Sequence, residues 1–271
     1  MSANNEIKKV TVPAILKMKQ EREKITVLTA YDQPMARMLD DAGLDIILVG
    51  DSAGMVIAGF ESTLPVTMDM MLYHTAAVRR GVRRALLVAD MPFLSFQTGV
   101  DKAVYNAGRF LQEAGAEAVK LEGGAAVAET VRKMAGYGIP VMGHLGLTPQ
   151  SINQFGGYGV VGKENKTANM LMTNALILEQ AGIFALVLEK IPATLAKKIT
   201  NKLKIPTIGI GAGKYCDGQV LVTHDMLGMF ERFQPKFARR YVNLAQEMRG
   251  AFEKYRQDVK TGLFPNDDES Y

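Results

Sequence analysis

The chain has 271 residues, 48% of them hydrophobic, enough to bury the core of one α/β barrel domain running from end to end. Lys and Arg total 32 against 28 Asp and Glu, and the resulting +4 is scattered; with Trp absent and no basic cluster interleaved with stacking aromatics, nucleic acid is excluded as a partner. No apolar run approaches the roughly 20 residues of a membrane span, the opening Met-Ser-Ala-Asn-Asn-Glu has no apolar stretch for a signal peptide, and Cys216 is the only cysteine, so a reducing cytoplasm is the expected compartment.

A short N-terminal extension leads into a helix expected at 12–22, and a first β-branched run follows at 25–29. Seven further apolar runs recur at 46–49, 85–89, 118–121, 141–143, 185–188, 207–210 and 220–223. They are nearly continuous rather than alternating, as parallel strands covered on both faces are. Segments of helical period separate them at 34–42, 68–80, 100–114, 125–137, 167–181 and 192–203. Gly43, Gly81, Gly115, Gly138 and Gly182 follow these helices, where left-handed caps are expected. Arg79, Arg80, Arg83 and Arg84 read as a solvated helix end, and His74 as a helix residue with a structural hydrogen bond. A helical tail is expected at 237–260. Eight strands favour a TIM (β/α)8 barrel over a doubly wound open sheet, though both alternate in this way. The Gly-rich connection 148–166 is either a lid over the site or a surface loop.

In a barrel, the residues that immediately follow the strands share one rim and one pocket. Five of the eight apolar runs are followed there by ionisable residues: Asp51, Asp90, Glu122, His144 and Glu189. Singly, each reads equally well as a helix cap or a loop residue. Together, the carboxylates of Asp51, Asp90 and Glu122 repel one another unless a cation is present, which points to a divalent site; all-oxygen donors favour Mg²⁺. Lys120 precedes Glu122 by two residues and shares its side of the strand, so it either grips an anionic substrate or pairs with a rim carboxylate. Ser52 offers a hydroxyl to a ligand or caps a turn, and His144 is a candidate to orient a ligand or shuttle a proton, or is structural. Gly209 to Lys214 fails the spacing of a phosphate loop. Gly157-Tyr-Gly-Val-Val-Gly162 fits the dinucleotide pattern but follows no strand. The cluster Met68, Met70 and Met71 reads as adaptable packing.

Ordered motifs along residues 10 to 265 resemble the ketopantoate hydroxymethyltransferase family. They include Thr-Ala-Tyr-Asp32, Val-Gly-Asp51-Ser52, Ser-Thr-Leu-Pro-Val-Thr67, Tyr-His-Thr-Ala-Ala-Val-Arg-Arg-Gly81, Ala-Asp90-Met-Pro-Phe, Val-Lys120-Leu-Glu122-Gly-Gly, Gly-His144-Leu-Gly-Leu-Thr-Pro-Gln, Leu-Val-Leu-Glu189 and Ile-Gly-Ile-Gly-Ala-Gly213. The resemblance implies a TIM-type barrel in a homo-oligomer, generally a decamer in bacterial members. It also implies Mg²⁺ as metal, 5,10-methylenetetrahydrofolate as one-carbon donor and 3-methyl-2-oxobutanoate as acceptor. It further implies Asp51, Asp90 and Glu122 as metal residues, Ser52 and Lys120 with Asp51 and Asp90 as the keto-acid site, and Glu189 as proton acceptor. Two departures stand out: Lys190 follows Glu189 where a small or neutral residue is expected, and Met91 replaces Leu. A phosphoenolpyruvate mutase or isocitrate lyase relative is the rival enzyme, though Cys216 lacks the Lys-Lys-Cys-Gly-His type of loop; a non-catalytic ligand-binding barrel is the other alternative.

Overall fold

Eight short aliphatic runs pair in parallel, each with the next in sequence, and the last returns to the first, closing the sheet as β1-β2-β3-β4-β5-β6-β7-β8. The computed structural model describes residues 8–230 and 234–271, which fall into two units, Met1–Leu221 and Val222–Tyr271. In the first unit the strands are β1 (Ile25–Thr29), β2 (Ile46–Val49), β3 (Leu86–Asp90), β4 (Ala118–Glu122), β5 (Val141–Gly146), β6 (Ala185–Glu189), β7 (Thr207–Ile210) and β8 (Gly218–Leu221). Before and between them run α1 (Val12–Glu21), α2 (Gln33–Asp41), α3 (Ala53–Val56), α4 (Met68–Arg79), α5 (Val100–Gln112), α6 (Ala128–Gly136), α7 (Ile152–Phe155), α8 (Asn165–Ala181) and α9 (Ala193–Lys202). This is the expected (β/α)8 barrel, and closure leaves no unpaired sheet edge.

The period-two alternation of each strand divides the apolar residues into two cores. Ile25, Val27, Ile46, Leu48, Leu86, Val88, Ala118, Met142, Ala185, Val187, Ile208 and Val220 form the inner one, joined by Val10, Ile15 and Met18 from α1 and its approach. The Val10 amide donates to Arg84 O (2.8 Å) and Lys9 Nζ to Ala85 O (2.6 Å), which places this segment at the amino end of β3. Residues of the other parity, such as Ile47, Leu87, Val119 and Leu186, belong to the outer core with the helices. Continuing the inner rows toward the carboxyl ends reaches Asp90 after Val88, Lys120 and Glu122 after Ala118, His144 after Met142, and Glu189 after Val187. The barrel interior is therefore apolar at its base and ionisable at its carboxyl mouth.

Several boundaries depart from expectation. Asp90, Glu122 and Glu189 are the last residues of their strands and His144 lies within β5, so the ladder runs through the ionisable residues and does not stop before them. The last strand begins two residues earlier than expected, because Thr223 already starts a helix, and the expected helix at 125–137 opens as a 3₁₀ turn, Ala125–Val127. Gly43, Gly115, Gly138 and Gly182 take positive φ as expected, but Gly81 does not. A Cβ on Gly81 would stand 2.6 Å from Gln33 O and 2.9 Å from Ala36 Cβ, so this glycine is required by the close approach of α2. The arginine set is not simply solvated: Arg84 donates to Gly43 O and Leu44 O, and Arg79 to Val82 O.

In the second unit, α10 (Thr223–Met226) precedes α11 (Leu244–Thr261), which starts later than the helix expected from residue 237. No residue of α11 is buried, and Met248, Phe252, Tyr255 and Val259 leave an exposed apolar stripe at helical spacing. Among the described residues no helix is long and apolar enough to cross a membrane.

Asp40, at the end of α2, ties that helix to the start of β3. Its buried carboxylate accepts the amides of Arg83 (2.8 Å), Arg84 (3.0 Å) and Ala85 (2.7 Å). Burial works against its charge, but these three N–H donors hold its pKa below the ordinary value. Asp40→Ala orphans all three donors and should cost about 2–4 kcal/mol in chemical denaturation. Turnover by the folded fraction should be unchanged; an unaltered denaturation midpoint would refute this role.

Candidate active site

At the carboxyl mouth, strand register sets Asp90 beside Lys120 and Glu122 beside His144. Lys120 Nζ lies 2.6 Å from Asp90 Oδ1, with both side chains buried. Burial alone would lower the pKa of Lys120, but Asp90, Asp51 and Glu122 together raise it, so the ammonium is charged. Asp51 sits just past β2, where its amide donates to Asp90 Oδ2 (3.1 Å). Burial, and then the charges of Asp90 and Glu122, push its own carboxyl up to about 8, against the opposing pull of Lys120 and Gln150. Ser52 follows, and its hydroxyl shares a 2.9 Å hydrogen bond with that of Tyr31. Tyr31 is buried, and burial raises its pKa, so the phenol stays protonated.

His144 stands between two glutamates. Its Nδ1 is 3.4 Å from Glu122 Oε1 and its Nε2 is 3.3 Å from Glu189 Oε2. Burial would lower its pKa, but the two carboxylates raise it to about 9, which favours the protonated ring between β4 and β6. Beyond Glu189, the chain closes round the strand end: Leu147 N donates to Glu189 O (2.9 Å), and a Cβ on Gly146 (φ 102°) would lie 2.1 Å from that same oxygen. Lys190, with φ 45°, turns its ammonium to Tyr158 O at 2.5 Å and holds Val161 N on its own carbonyl at 2.9 Å. Lys190 thus ties the 148–166 connection to the end of the strand bearing Glu189.

All seven expected residues, Asp51, Ser52, Asp90, Lys120, Glu122, His144 and Glu189, meet at this mouth or immediately beside it. Gln150 was not among them. It lies in a 3₁₀ turn (Pro149–Ser151) and donates its side-chain amide to Asp51 Oδ2 (2.9 Å) and Met91 O (2.9 Å), and its backbone N–H to Glu122 Oε2 (3.0 Å). Tyr31 was also missed. Both lie inside motifs that carry the resemblance, but a search for ionisable residues at strand ends passes over an amide four residues beyond β5 and a phenol two beyond β1.

The donor set fits a hard divalent cation in charge: three buried carboxylates face one ammonium, and burial, with the charges of Asp90 and Glu122, raises the carboxyl of Asp51. The ligand geometry is not closed, since Asp90 leans on Lys120 and Asp51 on Gln150, and among the described residues no three His, Cys, Asp or Glu side chains already surround one point.

The sequence profile of the family described as ketopantoate hydroxymethyltransferase matches residues 9–267. A 3-methyl-2-oxobutanoate hydroxymethyltransferase of Syntrophus aciditrophicus is 58% identical over 271 residues, 100% of both chains. One of Moorella thermoacetica is 57% identical over 97% of this chain and 98% of its own. Among solved structures, a phosphonopyruvate hydrolase in complex with oxalate and Mg²⁺ superposes with TM-score 0.61 at 13% identity, covering 95% of this chain and 92% of that one. A 2,3-dimethylmalate lyase of the PEP mutase/isocitrate lyase superfamily gives TM-score 0.61 at 15% identity, covering 96% and 91%. At such identity these two share the fold alone, whereas the near-full-length match at more than half identity is of another order: the chain belongs to the ketopantoate hydroxymethyltransferase family of enzymes.

Proposed function

We propose that the chain transfers a hydroxymethyl group from 5,10-methylenetetrahydrofolate to 3-methyl-2-oxobutanoate, giving 2-dehydropantoate for pantothenate and coenzyme A synthesis. The observation that carries this reading is the pairing, in one buried mouth, of an anion grip and a base: charged Lys120 among Asp51, Asp90 and Glu122, and Glu189 on a strand nearby, held by His144. The family and its relatives support the keto acid as acceptor and hydroxymethyl transfer as the reaction. Asp51 and Asp90, with Glu122 behind them, are the residues that would hold a divalent cation, Mg²⁺ first; when bound, such a cation stabilises negative charge on the ketone oxygen as C3 is deprotonated.

The chain's own groups do the rest. Lys120 and Ser52 bind the carboxylate of the keto acid and fix C3 toward Glu189. Glu189, whose side chain is 14% exposed at the edge of the mouth, takes the C3 proton. The carbon so activated bonds to the one-carbon unit of the folate, and water supplies the hydroxyl as tetrahydrofolate leaves. His144 holds Glu189 in place on one side and Glu122 on the other. The reaction belongs in the cytoplasm, with no nucleic acid or membrane partner, and in a homo-oligomer, the decamer being its finer form; the uncovered apolar stripe of α11 supports self-association.

Purified protein should form 2-dehydropantoate from the two substrates with Mg²⁺ and lose this activity on chelation. Turnover of the keto acid without folate would point instead to the mutase and lyase chemistry, and binding without turnover to a silent barrel. Glu189→Gln should lower kcat by about 10²- to 10⁴-fold while calorimetry shows keto-acid affinity retained; full turnover would remove Glu189 as base.

Asp51 and His144 also set a pH dependence. Folding raises Asp51 from 3.8 to about 8 and His144 from 6.5 to about 9, so across this window the folded chain binds more protons than the unfolded one. Their stabilisation is complete below the unfolded values and lost as pH rises through the folded ones. The melting temperature of chelated protein should therefore fall from pH 6 to pH 9, and added Mg²⁺ should stabilise more at the alkaline end, where Asp51 has no proton to surrender. A melting temperature that climbs over this range would contradict both assignments.

A further inference from the structure

Gln150 is buried, and each polar atom of its side chain has a defined partner. Nε2 has two hydrogens and two acceptors, Asp51 Oδ2 and Met91 O, both at 2.9 Å. Oε1 accepts from Gln97 Nε2 at 3.2 Å. Reversing the amide would set Oε1 against a carboxylate and a carbonyl, acceptor upon acceptor, so Gln97 and Met91 together fix which end faces Asp51. The backbone N–H of the same residue reaches Glu122 Oε2 at 3.0 Å. One residue thus holds one oxygen on each of two carboxylates, Asp51 just past β2 and Glu122 at the end of β4.

We infer that Gln150 is the positioning residue that orients Asp51 and Glu122 for a divalent cation. This rests on the reading of those carboxylates as cation ligands. With Oδ2 tied to Gln150, Asp51 Oδ1 makes no hydrogen bond among the described residues, and it is the oxygen left to a ligand. Glu122 likewise keeps Oε1 apart from Gln150, turned toward His144. A neutral donor suits this task. A lysine here would cancel the charge that draws the cation, and a carboxylate would add to the repulsion that already lifts Asp51. The 3₁₀ turn carries the residue to the mouth directly after β5, and Pro149 before it restricts the backbone that aims the amide. Gln97, on the connection after β3, acts one step further out by fixing the amide.

The test is Mn²⁺ affinity of the full chain without substrate, with free Mn²⁺ read by electron paramagnetic resonance. Gln150→Leu should weaken binding by about 10- to 100-fold, as loss of a group that orients a metal ligand does. The unfolding midpoint in chelator should fall modestly, because Asp51 Oδ2 and Met91 O lose their shared donor, so affinity is measured at a temperature where both proteins are fully folded. Gln97→Leu should give a smaller loss, because the amide is then free to turn. Asp51→Asn separates this inference from the reading beneath it. Equal binding by Asp51→Asn and wild type would show that Asp51 is no ligand, and both would fall together. Loss in Asp51→Asn with wild-type affinity in Gln150→Leu would overturn the positioning role alone. Should Gln150→Leu fail to fold, Gln97→Leu decides, and wild-type affinity there overturns the inference.

Discussion

Placing three carboxylates within one another's reach, away from water, is the constraint on which the rest of the structure depends. Each buried charge carries a desolvation cost of several kcal/mol unless partners repay it. Asp51, Asp90 and Glu122 are each less than a tenth exposed, and their partners are correspondingly few and specific: Lys120 on Asp90, Gln150 on Asp51 and Glu122, and His144 between Glu122 and Glu189. The residual strain shows in Asp51, whose proton is held to about pH 8, and in His144, held to about 9. Lys120, Gln150 and His144 are what offset the mutual repulsion of these carboxylates in the folded chain.

Such a mouth demands a rigid support, and the barrel supplies it by parity. The rows that place Val88, Ala118 and Met142 in the inner core deliver Asp90, Lys120 and His144 one step higher on the same side. Tight packing below therefore sets the spacing of charges above. At the amino end, Asp40 fastens α2 to β3 through three backbone donors, and Lys19 and Asp217 pair at 2.8 Å between α1 and the start of β8. These charged contacts hold the barrel's base, while those at the mouth are left partly unresolved for a ligand.

Much of this was legible in the sequence because it is local. Nearly continuous β-branched runs name buried parallel strands, and ionisable residues after five of the eight runs mark the rim; Lys120 and Glu122, two apart, had to share a side. What was not legible depends on pairs far apart in the chain. Gln150 meets Asp51 across 99 residues, and Tyr31 meets Ser52 across 21, with neither residue type announcing a site by itself. Gly81 shows the same limit: its place after a helix suggested a cap, whereas its reason is the backbone of α2 pressing against it. Strand ends are less legible, because backbone pairing does not depend on side-chain polarity and the ladder includes Asp90 and Glu189.

The fold does not choose the reaction, since structures with TM-scores near 0.61 share it at 13–15% identity. The choice rests with the side chains at the mouth, and with Glu189 most of all. Glu189 has a lysine as its next neighbour in sequence, and a left-handed turn at Lys190 accommodates it at the strand end. It sends the ammonium to Tyr158 O, while the Lys190 carbonyl takes Val161 N and its amide donates to Ile210 O. The ammonium is thus directed to the Gly-rich segment, so the residue that departs from the family pattern fastens that connection to the end of the strand carrying Glu189.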